Sequence, residues 1–96
     1  MIVDVERSVR VVVTGRVQGV WFRAWTVREA GARGLHGWVR NCRDGTVEAV
    51  FAGTVSGVED MIEACHAGPP HARVSAVRVE PAETPSRAGF HLAATE

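Results

Sequence analysis

Two stretches of this sequence carry residue types that could do chemistry on a phosphate. The first is Gly15-Arg16-Val17-Gln18-Gly19-Val20-Trp21-Phe22-Arg23, which joins an alternating apolar run to a helical one. Loop amides at a strand-to-helix junction converge into a nest for an anion, and the helix dipole adds to it. A guanidinium at the helix start offers phosphate oxygens a planar, bidentate partner. The second is Gly37-Trp38-Val39-Arg40-Asn41, followed by Arg43-Asp44-Gly45-Thr46-Val47-Glu48. The Asn41 carboxamide can hold a water in place, although it cannot act as a base. Taken singly, each stretch also has a plain reading. The first could be an ordinary turn with a solvated arginine, the second a hairpin with Asn41 as a turn residue.

The elements that position these residues follow from periodicity. Val9, Val11 and Val13 alternate along a half-buried strand that ends at Gly15, and residues 16–22 form the loop after it. From Arg23 to Arg33 the pattern is helical, with Phe22, Thr26 and Ala30 on one face and Gly34 as the left-handed stop. Gly31 inside this helix is expected to mark close packing against a strand. His36 to Cys42 and Thr46 to Ala52 read as a hairpin around Asp44-Gly45. Ser56 and Glu59 form a capping box for a second helix, whose apolar face is Val58, Met61, Ile62 and Cys65. Gly68-Pro69-Pro70 stops it. Arg73 to Glu80 is a fourth strand with Val77 and Val79 inward, and Phe90 and Leu92 mark a short edge strand.

The order is β-α-β-β-α-β with a small extra strand. Each helix has a single apolar stripe, so both cover the same face of one antiparallel sheet of mixed order. Right-handed crossovers then give an α+β, split βαβ or ferredoxin-like sandwich. In a β-α-β unit the two strands point the same way. The loop 16–22 and Asn41 therefore lie at the same edge, with Arg23 facing Asn41 where ligands favour the strand ends.

Composition narrows the function. With 96 residues the chain makes one domain, expected over residues 8–96 behind a flexible lead-in at residues 1–7. Hydrophobic residues are 46 % of the total, which argues against disorder, and zero formal net charge provides no long-range field toward nucleic acid or an anionic membrane. All 11 basic residues are arginine, so no lysine is available as a Schiff-base nucleophile or Walker-type ligand. Cys42 and Cys65 form no redox or disulfide motif and fit a cytoplasmic setting. No apolar run approaches the roughly 18 residues of a membrane span. His36, His66, His71 and His91 lack zinc spacing and read as surface or packing residues. Trp25 and Trp38 read as packing rather than RNA platforms, and Glu59, Asp60 and Glu63 as the solvated side of the second helix.

The two motifs together resemble the acylphosphatase family. Residues 15–23 match its phosphate-binding signature without a gap, Gly37 to Glu48 match its second signature at the right separation, and Gly68 to Val74 look like its loop before the fourth strand. The similarity runs from Ser8 to Leu92. It implies hydrolysis of acyl phosphates to carboxylate and phosphate without metal or cofactor, by a free-standing enzyme; the sequence itself gives no oligomeric state, and a monomer is the expectation. It puts the family's catalytic arginine on Arg23, its asparagine on Asn41, and its phosphate cradle on Gln18, Gly19, Val20, Trp21 and Phe22, with inorganic phosphate as product and inhibitor. A related domain opens large carbamoyltransferases, but those carry zinc-type cysteine pairs that this sequence lacks, so the chain is expected to be complete in itself. The competing reading is a non-catalytic phosphate- or partner-binding module of the same fold, with an RNA-binding module a distant third. Turnover of a small acyl phosphate separates the first two.

Overall fold

The described residues build seven elements: β1 (Arg7–Arg16), α1 (Phe22–Ala32), β2 (His36–Asn41), β3 (Val47–Gly53), α2 (Val55–Ala67), β4 (Arg73–Pro81) and β5 (Phe90–Leu92). The computed structural model describes residues 5–96. The strands form one sheet in the order β4-β1-β3-β2-β5. β1 is antiparallel to β3 and β4, β2 is antiparallel to β3, and β5 adds to β2 in parallel. This is the expected split βαβ arrangement with its extra edge strand, except that the parallel β5 makes the sheet mixed rather than wholly antiparallel.

Alternation explains the core. Val9, Val11 and Val13 of β1 point to one face, together with Val39, Val47, Ala49 and Phe51. Phe22, Thr26 and Ala30 of α1 and Val58, Met61 and Cys65 of α2 are buried against them. Burial pushes the Cys65 thiol up to about 12, which leaves it a packing residue. The opposite face is polar: the half-exposed Arg10 and Arg40 both donate to the Glu48 carboxylate, with Arg40 Nε at 2.7 Å. Burial pushes the Glu48 carboxyl up, but the hydrogen bonds from Arg10 and Arg40 outweigh it and hold it below the usual carboxylate range.

Four local expectations need correction. The cap of α2 is Thr54, not Ser56: Thr54 is extended and its Oγ1 accepts from Gly57 N at 3.1 Å, while Ser56 already lies inside the first turn. Glu59 closes no box and instead meets Arg7 at 3.2 Å. Gly31 is exposed, with nothing within 4 Å of where a Cβ would sit, so it marks no close packing. Val79 is 38 % exposed because β4 is the sheet edge, whereas Val77 packs on the core. Arg7 and Glu6, expected in the lead-in, join the sheet: Arg7 pairs with Gly53, and Glu6 N donates to Gly53 O at 2.8 Å. Residues 1–4 lie outside the described residues.

Candidate active site

Because β1 and β2 are both antiparallel to β3, they run the same way and end at one sheet edge. The loop after β1 is residues 17–21, shorter at both ends than expected. Two buried valines pin it: Val17 is 1 % exposed and Val20 is 5 %. Between them the chain turns out to solvent at Gly19, which has φ +73. Trp21 then takes φ 67, a left-handed conformation found at no other non-glycine among the described residues. That turn delivers the chain into α1 with no side-chain cap and no acid in the first turn. Trp25 N–H bonds Trp21 O at 3.0 Å, so the amides just before it have no acceptor inside the helix and are open to an anion.

The start of α1 is held firmly. The Phe22 ring is buried and meets Trp25 edge-on at 5.2 Å. Gly68, after α2, lies so close that a Cβ there would come within 2.8 Å of the Phe22 ring. Arg23, one residue on, is thereby set on the first turn. It makes no ion pair among the described residues, unlike Arg10 and Arg40.

Asn41 ends β2 opposite Val47. Its Oδ1 is buried and has no hydrogen-bond partner among the described residues. An orphaned buried acceptor is costly unless a water or ligand fills the place. Arg23 and Asn41 line the same cleft, of about 670 Å³, together with Gly19, Trp21 and Phe22. Val27 and Leu92 supply apolar lining. Among the described residues, no carboxylate lines it, and no group of three or more His, Cys, Asp or Glu could hold a metal.

Two predicted cradle residues point elsewhere with their side chains. Val20 packs into the core. The Gln18 Nε2 donates to Cys42 O at 2.8 Å and to Thr46 O at 2.9 Å, tying the loop to the hairpin that carries Asn41. Sequence reasoning missed this tether, and only the joint presence of both motifs hints at it. His36 proves a packing residue, its Nδ1 accepting from Gly89 N at 2.8 Å.

An open helix start beside an arginine with no ion pair among the described residues, on a split βαβ sheet, defines a small α+β protein with a cleft suited to an anion. A family model for acylphosphatase matches residues 9–92. Over 84 residues the chain is 52 % identical to an acylphosphatase of Rhodospirillum rubrum, covering 88 % of this chain and 92 % of that one. It is 51 % identical over 89 residues to an acylphosphatase of Azorhizobium caulinodans, covering 92 % and 96 %. The solved acylphosphatase from Coxiella burnetii superimposes with a TM-score of 0.87 at 34 % identity, over 91 % of this chain and 92 % of that one. The chain belongs to the acylphosphatase family. Its activity is hydrolysis of acyl phosphates to a carboxylate and inorganic phosphate.

Proposed function

We propose that Arg23 and the loop through Gln18, Gly19, Val20, Trp21 and Phe22 hold the phosphate of an acyl phosphate, and that Asn41 positions the water that attacks it. The observation that carries this reading is the buried, unpartnered Asn41 Oδ1 in the same cleft as the unpaired Arg23. Phosphoryl transfer through a loose transition state asks the protein mainly for positioning and charge stabilisation. The Arg23 fork and the free amides of α1 neutralise the equatorial oxygens. The Asn41 carbonyl accepts a hydrogen bond from the water and aims its oxygen at phosphorus. As the new P–O bond forms, the bond to the acyl oxygen breaks, and the carboxylate leaves with the electron pair. A carboxylate is a good leaving group, so no general acid is required. The proton of the water passes to the phosphate or to solvent. Val27 and Leu92 provide an apolar surface for the acyl group. The arginine supplies the charge that a metal would otherwise bring, so turnover is metal-independent.

Inorganic phosphate, as product, competes for the same cradle. Both groups come from one chain, which fits a monomer, and two free thiols suit the cytoplasm. Hydrolysis of benzoyl phosphate tests the assignment. Wild-type turnover should survive EDTA. Asn41→Ala should lose about a hundredfold in kcat, equivalent to ~3 kcal/mol, with KM little changed. Near-normal kcat per folded molecule would remove Asn41 from the mechanism.

A further inference from the structure

A second cleft, of about 440 Å³, opens beside the loop and shares only Gly19 and Trp21 with the first. Arg16, His71 and Arg73 line it, and no carboxylate among the described residues does. Arg16 and Arg73 are register partners at the end of the β1–β4 ladder. Directly opposed residues project side by side from the same face of a sheet, and like charges in that relation destabilise it. No carboxylate among the described residues neutralises this pair: Arg16 and Arg73, like Arg23, Arg43, Arg78 and Arg87, make no ion pair, and of these they are the ones set directly opposite each other.

The opposition of the two arginines depends on a specific irregularity. The β1–β4 register shifts between Thr14 and Gly15, so that Gly15 meets Val74 and Arg16 meets Arg73. An unbroken register would have set Arg16 opposite Val74. The shift requires a glycine: Gly15 has φ +130, and a Cβ there would lie 2.1 Å from Arg73 O. Bulges of this kind re-aim side chains and concentrate near active sites.

We propose that Arg16, Arg73 and His71 form a second oxyanion site that takes a phosphoryl group, separate from the one at Arg23. Two guanidiniums supply charge-assisted donors, the imidazole a further donor, and the anion removes the repulsion between the arginines. Its occupant is either free phosphate or the distal phosphate of a substrate whose acyl phosphate lies in the first cleft.

The test uses Arg73→Glu. This change places a carboxylate opposite Arg16, which favours the strand pairing while filling the site from within. Inorganic phosphate titrated into wild-type protein, followed by amide NMR, should shift Arg23 and Asn41 in one binding event and Arg16, His71 and Arg73 in another. In Arg73→Glu the second event should weaken by about tenfold or more, equivalent to ~1.4 kcal/mol, while competitive inhibition of benzoyl phosphate hydrolysis by phosphate is unchanged. In Arg23→Ala the second event should persist. Absence of that event in wild type, or its survival undiminished in Arg73→Glu, overturns the proposal, whereas failure of the Arg23 reading would show in the inhibition alone. Two substrates distinguish the sources. If kcat/KM falls in Arg73→Glu only for an acyl phosphate bearing a second phosphate on its acyl chain, the site holds a substrate's distal group. If the second event weakens while both substrates are turned over normally, it holds free phosphate.

Discussion

The two helices of this molecule begin in opposite ways. Each follows a strand and packs on the same sheet face, so the fold asks the same of both. At α2 the chain satisfies its own first turn: Thr54 Oγ1 accepts from Gly57 N at 3.1 Å, and the Glu6 carboxylate accepts from Val55 N at 3.1 Å. At α1 there is no side-chain cap and no acid, and the residue before the helix is a tryptophan in a left-handed conformation. One end is a joint closed by the protein, and the other is left open, where the proposed function puts the phosphate. Strand direction brings Arg23 and Asn41 to one edge, and the missing cap leaves the amides at that junction open to an anion.

The sharpest way to break this comparison is at Arg23, where the largest effect is expected. Arg23→Ala should lower kcat/KM for benzoyl phosphate by about a thousandfold, equivalent to ~4 kcal/mol, because the guanidinium serves binding and transition state alike. At a hundredfold excess over Kd, phosphate bound at the α1 cradle should stabilise wild type by about 2.7 kcal/mol. That part of the response should vanish in Arg23→Ala, measured as Tm against phosphate with sulfate and chloride controls. Arg23→Lys should restore it only partly, since a point charge lacks the fork. Without phosphate the variant should melt near wild type, because Arg23 has no ion pair to lose among the described residues. If phosphate stabilises Arg23→Ala as strongly as wild type, the open end of α1 is not the phosphate site.

The closed end should give a moderate and purely structural effect. Thr54→Ala removes one cap bond and should cost about 1 kcal/mol in denaturant unfolding, with kcat and KM unchanged for the folded enzyme. A loss of turnover beyond the loss of folded protein would show that the two ends are coupled and would blur the contrast.

The contrast between the two junctions also marks what the sequence could reveal. Strand alternation in Val9, Val11 and Val13, the Asp44-Gly45 hairpin and the helical spacing of Phe22, Thr26 and Ala30 are local patterns, and each led to the observed element. The meeting of Arg23 and Asn41 then followed from strand direction alone. What local pattern misjudged was the start of α2. Ser56 with Glu59 makes the stronger capping signature, but sheet pairing of Gly53 with Arg7 and the reach of Glu6 to Val55 fix the junction two residues earlier, at Thr54. The Gln18 tether and the Arg10–Glu48–Arg40 network are long-range contacts between side chains distant in sequence. The register shift at Gly15 is equally non-local, since it is defined by what β4 places beside it.

The smallest expected effect concerns the strain at the open end. Trp21 has φ 67, and a left-handed conformation costs a residue with a Cβ about 1 kcal/mol or more. Trp21→Gly relieves that strain but adds freedom to the unfolded chain, worth about 0.5–1 kcal/mol in the opposite sense. The indole is 79 % exposed, so little burial is lost. Gain and loss nearly cancel, and the denaturant midpoint should stay close to wild type. Trp21→Val keeps the strain and adds branching at Cβ, which the left-handed region tolerates worst, so it should be less stable than Trp21→Gly by about 1–2 kcal/mol. The loop is held on both sides by Val17, Val20 and Phe22, so Trp21→Gly should retain its amide geometry and hydrolyse benzoyl phosphate at a near-normal rate. Equal stability of the glycine and valine variants would mean that the junction relaxes when Trp21 is replaced. The open helix end would then be set by the tryptophan itself rather than by the packing around it.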